Sequence, residues 1–180
     1  ILGWLLVEVI KEGKATSLGG ASGAVAGLVA ITPACAVVSP IGAIALGAIT
    51  GALCALAIGI KYKLGFDDSL DVVGVHLVGG LAGTLLIGLF ATKTNSGGKA
   101  TAGLFYGGDL SQLGKQAAAA FAVLAYSFVL TYIIGKLIQV TIGFRIDEES
   151  EVTGIDQVEH LESAYDYAGG TGGSPFKTGV

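Results

Sequence analysis

The chain has 180 residues, 52% of them hydrophobic and only 13% charged, against roughly a quarter charged in an ordinary soluble domain. Its 30 glycines are too many for soluble helices but suit membrane helices, where small residues let backbones approach closely. The net charge of -4 is local, since residues 143–166 hold eight carboxylates and one base, Arg145, and no basic and aromatic cluster points to nucleic acid.

The chain opens inside an apolar run, Ile1-Leu-Gly-Trp-Leu-Leu-Val, and contains no methionine. No basic region or small-residue cleavage site makes this a signal peptide. Residues 1–10 are therefore expected to be the end of a membrane span whose earlier part lies upstream. Between Lys14 and Lys61 there is no charged residue. One helix through that stretch would be about 70 Å long, over twice the hydrocarbon thickness. Ser39-Pro40 with Gly42 breaks it, predicting two spans, Leu18–Val38 and Ile41–Ile60. A third is predicted over Val72–Ala91, with His76 its sole ionisable residue. Residues 92–111, rich in Gly, Thr, Lys and Asn, read as a loop. A fourth span runs from Gln112 to Ile142, long enough to tilt. These divide the chain into a transmembrane region (1–142), an acidic tail (143–168) and a flexible end (169–180). The fold class is all-α, a polytopic transmembrane helix bundle.

Loop charges set the orientation. Lys11, Lys14, Lys61, Lys63, Lys136 and Arg145 fall on one side, and Lys93, Lys99 and Lys115 on the other. The tail is expected in the cytoplasm and residue 95 outside.

Gly19, Gly23 and Gly27, and likewise Gly47 and Gly51, repeat at four-residue spacing and predict helix packing. Cys35 and Cys54 have no partner at metal spacing and read as small buried thiols. Asp67-Asp68-Ser69-Leu70-Asp71 begins like a calcium loop, but the required Gly and Glu are Val72 and Val78. It reads instead as a helix start, with acids or Ser capping free amides. Gly98-Lys99-Ala100 is not a phosphate-binding loop. No nucleophile, base and acid converge, and the other histidine, His160, lies in the tail. Neither an enzyme, a metal site nor a cofactor is indicated. His76 stands apart, because an ionisable group inside a membrane span is costly and tends to line a pathway.

Three stretches resemble the ammonium transporters of the Amt/Mep/Rh type. They are Ser22-Gly-Ala-Val-Ala-Gly-Leu-Val-Ala-Ile-Thr-Pro-Ala34, Asp67-Asp-Ser-Leu-Asp-Val-Val-Gly-Val-His-Leu-Val-Gly-Gly80, and Gly143-Phe-Arg-Ile-Asp-Glu-Glu with Gly154-Ile-Asp and His160-Leu-Glu-Ser-Ala-Tyr165. The resemblance runs from Ile1 to about Tyr165. It implies eleven spans in the whole protein, the last four of them here, and a homotrimer with one pore per protomer in the plasma membrane. It implies that His76 is the second of two paired pore histidines. By the same resemblance Val25 and Val72 line the pore, Thr32 lies beside the midpore and recruitment region, and Asp71 begins the His-bearing span. It further implies a regulatory tail, with Arg145, Gly154 and Tyr165 in its motif, open to a cytosolic signal protein of the PII type. The sequence departs from the family at Leu77, where Gly is usual, and at Leu161. The substrate so implied is ammonium, which can shed a proton and cross an apolar tube that rejects potassium. Two other readings are a carrier of another kind with an embedded histidine, such as a proton-coupled one, and a membrane scaffold acting through its tail, which leaves His76 without a role.

Overall fold

The computed structural model describes residues 1–98 and 101–162. Two compact units divide it, Ile1–Ser127 and Phe128–Val180. Among the described residues every extended element is helical, and the sole β pairing is an isolated bridge between Val38 and Ala91.

The first unit is a bundle of α1 (Leu2–Glu12), α2 (Ser17–Ile31), α3 (Pro40–Ala57), the short α4 (Ile60–Leu64), a π-helical segment (Val72–Leu77) and α5 (Val78–Phe90). A 3-10 turn at Leu104–Tyr106 leads into α6, Leu110–Thr141. Three stretches are long and apolar enough to cross a membrane: Pro40–Leu64, Val72–Phe90 and Leu110–Thr141. Ser17–Ile31 is shorter. The predicted span to Val38 stops being helical at Ile31 because Pro33 brings no N–H and its ring disrupts the preceding turn. From there hydrogen-bonded turns carry the chain on, Cys35 to the Ile31 carbonyl and Val38 to that of Ala34. This corrects the expectation of two buried thiols. Cys54 is buried on α3, whereas Cys35 stands exposed on the turn that Pro33 creates.

Helix starts follow their sequence signals. Thr16 caps α2 through Gly19 N (2.8 Å), and Ser39 caps α3 through Gly42 N (3.1 Å) with Pro40 at the first helical position. Glu8 of α1 accepts from Trp4 Nε1 (3.3 Å) and from Thr16 N (3.0 Å), fastening α1 to the start of α2.

The interior is built from small residues. Ala26, Ala30, Ala34, Leu46 and Cys54 are fully buried, and Trp4 nearly so. Lipid tails are as apolar as leucine, so helix association here depends on close packing rather than on escape from water. Of the repeating glycines, Gly19, Gly23 and Gly51 do face α1, where an added Cβ would meet Glu8, Trp4 and the Gly3–Trp4 backbone respectively. Gly27 and Gly47 have nothing within 4 Å among the described residues, so spacing alone did not identify the contact face. On α5, Gly83 lies against the backbone of Ala30, and Gly79 against the side chains of Cys54 and Val29, each at 3.3 Å from an ideal Cβ.

The opposite end of the bundle is stitched by the loops. Thr92 N donates to the Val37 carbonyl at 2.7 Å, Asn95 Nδ2 to that of Val38, and the Ser39 and Tyr106 hydroxyls share a hydrogen bond of 3.0 Å. Phe90 and Phe105 meet edge to face, 5.4 Å between centroids.

Backbone cannot move aside as a side chain can, which ranks two substitutions. In the full-length protein Gly83→Ala should cost about 1–3 kcal/mol, the range for overpacking, and Gly79→Ala clearly less. Thermal unfolding in detergent reads the difference, and equal midpoints for the two variants would contradict the packing described.

Candidate functional site: the face around His76

The turn before the π segment is an acidic knot. Asp68 accepts from Val72 N through Oδ1 (2.7 Å) and from Val73 N through Oδ2 (2.9 Å), satisfying two free amides of the helix start. The expected capping acid is thus Asp68. Asp71 takes another part: its backbone is left-handed (φ 55°), it makes no side-chain cap, and its carboxylate pairs with Lys61 Nζ at 2.7 Å. Lys61 also donates to the Asp68 carbonyl at 2.8 Å.

The His-bearing stretch begins with wide turns, Val78 N–H reaching back five residues to the Val73 carbonyl. Single π turns inside helices often mark functional sites. Gly74 fits closely against Ile58 at the end of α3, where a Cβ would come within about 3 Å of Ile58 backbone and side chain. Cys54 Sγ lies 3.7 Å from the Val75 carbonyl. These contacts bury Gly74 and Val75 and leave Val72, His76 and Leu77 exposed. No hydrogen bond ties the His76 ring to a described residue.

The structure brings His76 and Val72 onto one exposed face. Val25 is exposed on the neighbouring α2, which packs against the π segment. Thr32 lies seven residues beyond Val25, about 10 Å along the helix, and its hydroxyl is occupied by the Leu28 carbonyl at 2.7 Å. Asp71 sits at the base of the site, acting through Lys61 rather than as a cap. Sequence reasoning treated Lys61 only as a loop charge, and its spacing from Asp71 carried no signal. Among the described residues no group of three His, Cys, Asp or Glu is placed to hold a metal ion.

In the second unit the tail is ordered through α7 (Glu148–Thr153) and α8 (Ile155–His160). Arg145 holds Glu151 with both Nε (2.9 Å) and Nη2 (2.7 Å). Gly154 between the helices has φ 112°, a positive value unfavourable for any residue with a Cβ. Tyr165 and residues 169–180 lie outside the described residues.

The arrangement defines a polytopic helical membrane protein with an ionisable side chain on an apolar interhelical face. The model of the Ammonium Transporter Family matches residues 1–165. An ammonium transporter of Mycobacterium tuberculosis is 57% identical over 176 residues, covering 96% of this chain and 37% of the relative. One from Bacillus subtilis is 46% identical over 167 residues, covering 92% and 41%. The crystal structure of Candida albicans Mep2 superposes with a TM-score of 0.75 at 32% identity, covering 88% of this chain and 36% of that one. A structure described as a sensor Amt protein gives 0.74 at 30%, covering 88% and 38%. The chain belongs to the ammonium transporter family, a family of transporters rather than enzymes, and spans about two fifths of the relatives it matches.

The tail cap carries a pH dependence. Asp147 accepts from Ser150 N (2.9 Å) and Ser150 Oγ (2.9 Å), and the first of these chiefly holds its pKa below the ordinary aspartate value. A depressed carboxylate contributes stability that is complete above its unfolded pKa and lost as pH falls through the folded one. Amide exchange at Ser150 should therefore be faster in Asp147→Ala than in wild type at neutral pH. That ratio should shrink in acid below the aspartate range, and a ratio independent of pH would refute the capping role.

Proposed function

We propose that this chain forms one wall of a pore through which ammonium crosses the plasma membrane as ammonia, with His76 the group that receives the substrate. The observation that carries the reading is His76 itself, an imidazole held on an exposed interhelical face between apolar neighbours. A bare cation at mid-bilayer costs several kcal/mol or more. Apolar walls contributed by Val25 and Val72 therefore exclude potassium, whose charge is permanent. Ammonium can leave its proton behind, and an imidazole can hydrogen-bond the resulting ammonia or relay the proton. A second, paired histidine is assigned to the part of the protein outside this chain. Thr32 stands nearer the outer end of α2, where substrate is recruited, and Asp71 anchors the base of the His-bearing segment. Membership of the ammonium transporter family supports the substrate class.

The same reading makes the protein a homotrimer, embedded as a multi-pass protein, with its C-terminus in the cytoplasm. The tail from Gly143 to Tyr165, shaped by Arg145 and Gly154, then serves regulation, as coupling between protomers or as a seat for a signal protein of the PII type.

Two measurements test this. In full-length protein reconstituted in vesicles, His76→Ala should abolish methylammonium uptake or retain a current that no longer discriminates against potassium. Wild-type rate together with wild-type selectivity, assembly being verified, would return His76 to a packing role. For orientation, single cysteines from Asn95→Cys and Tyr165→Cys are exposed to an impermeant thiol reagent on intact cells. Position 95 should label and position 165 only after permeabilisation; the reverse pattern overturns the topology.

A further inference from the structure

We infer that Lys61 is a positioning residue for His76, fixing the wide-turn register in which the imidazole is presented. This rests on the reading of His76 as a pore residue.

Lys61 lies in the first turn of α4, and its side chain is only 14% exposed. Its two bonds, to Asp71 Oδ1 (2.7 Å) and to the Asp68 carbonyl (2.8 Å), grip both acids that shape the helix start. Asp68 then holds Val72 N and Val73 N, and the Asp71 carbonyl receives Val75 N at 2.8 Å. An unbroken series of hydrogen bonds thus runs from the ammonium group to the residue beside His76.

Two features show that this start is imposed. Asp71 has left-handed backbone, which aspartate tolerates better than most residues with a side chain but which still costs free energy. Asp67, Asp68 and Asp71 also bring three carboxylates together within five residues. Lys61 pairs directly with the Asp71 carboxylate and lies close to Asp68 through its carbonyl, and charge-assisted bonds of this length are the strong kind. Without it, repulsion and backbone strain both favour Asp71 turning right-handed. The helix start then gains a residue and the π turn resolves to ordinary α geometry. Gly79 and Gly83 hold α5 against α2, so the change falls on residues 72–76. Each turns by about one residue's step, ~100°. Val75, now buried against Trp4, Ala26 and Cys54, and His76, now exposed, would no longer keep their present faces.

The test uses the full-length protein with Cys35 and Cys54 replaced and one cysteine introduced by Val75→Cys or His76→Cys. A small methanethiosulfonate reagent reads accessibility with Lys61, Lys61→Arg or Lys61→Met. Position 76 should label several-fold faster than position 75 with Lys61 and with Lys61→Arg, which keeps the charge. The contrast should collapse with Lys61→Met. In His76-intact protein, methylammonium uptake should fall with Lys61→Met and recover with Lys61→Arg. If Lys61→Met does not assemble, Lys61→Gln, which removes the charge but keeps a polar side chain, is read in the same way. A contrast that survives both variants overturns the positioning role while leaving the pore reading in place. No contrast even with Lys61 present sinks the pore reading, and the positioning role with it.

Discussion

Close backbone approach between α2 and the α5 arm is the constraint on which everything else hangs. Ala30 meets Gly83 where no Cβ fits, and Ala26 and Val29 meet Gly79. In a membrane there is little hydrophobic gain from bringing two apolar helices together, so contact quality decides their placement. Once α5 is held by these positions, the π segment below it has little freedom. Gly74 must lie on Ile58, Val75 must face the cluster of Trp4, Ala26 and Cys54, and Val72 and His76 must turn the other way. The exposed histidine follows in part from where the glycines are.

Electrostatics completes at the base what packing begins. The knot of Lys61, Asp68 and Asp71 satisfies the helix-start amides and balances carboxylates that would otherwise repel. Glu8, with Trp4 and Thr16, performs a comparable service where α1 meets α2. In both places a charged side chain is used to join two backbone segments. Such joints sit at the ends of the bundle, where ionic groups retain some water, and leave the interhelical face apolar.

Much of this was legible in the sequence. Long intervals without charge located three of the spans to within a few residues, whereas the one predicted to Val38 is helical only to Ile31, and Ser39-Pro40 located the turn that follows. The acids before Val72 announced a helix start. What stayed hidden has one physical cause, dependence on a partner distant in sequence. Gly19 and Gly27 share a repeat, yet only the former touches α1. Asp68 and Asp71 are equivalent as letters, and Lys61 alone, seven to ten residues earlier, assigns them different work. The π turn has no signature of its own, because the contacts around it, Gly74 on Ile58 and Lys61 on Asp71, join residues far apart in sequence. Cys35 looked like Cys54 until Pro33 was seen to end the helix before it.

The stitching at the loop end of the bundle, where Thr92 and Asn95 meet the α2–α3 turn, bears on how the protein is made. The Val37 and Val38 carbonyls find their partners in Thr92 and Asn95, 55 and 57 residues later. A chain delivered to the bilayer from its N-terminus exposes the α2–α3 turn well before those donors arrive. Backbone carbonyls left unpaired near hydrocarbon are costly, so the turn rests on interfacial water until α5 has crossed. Its closure therefore waits on the threading of the histidine-bearing span.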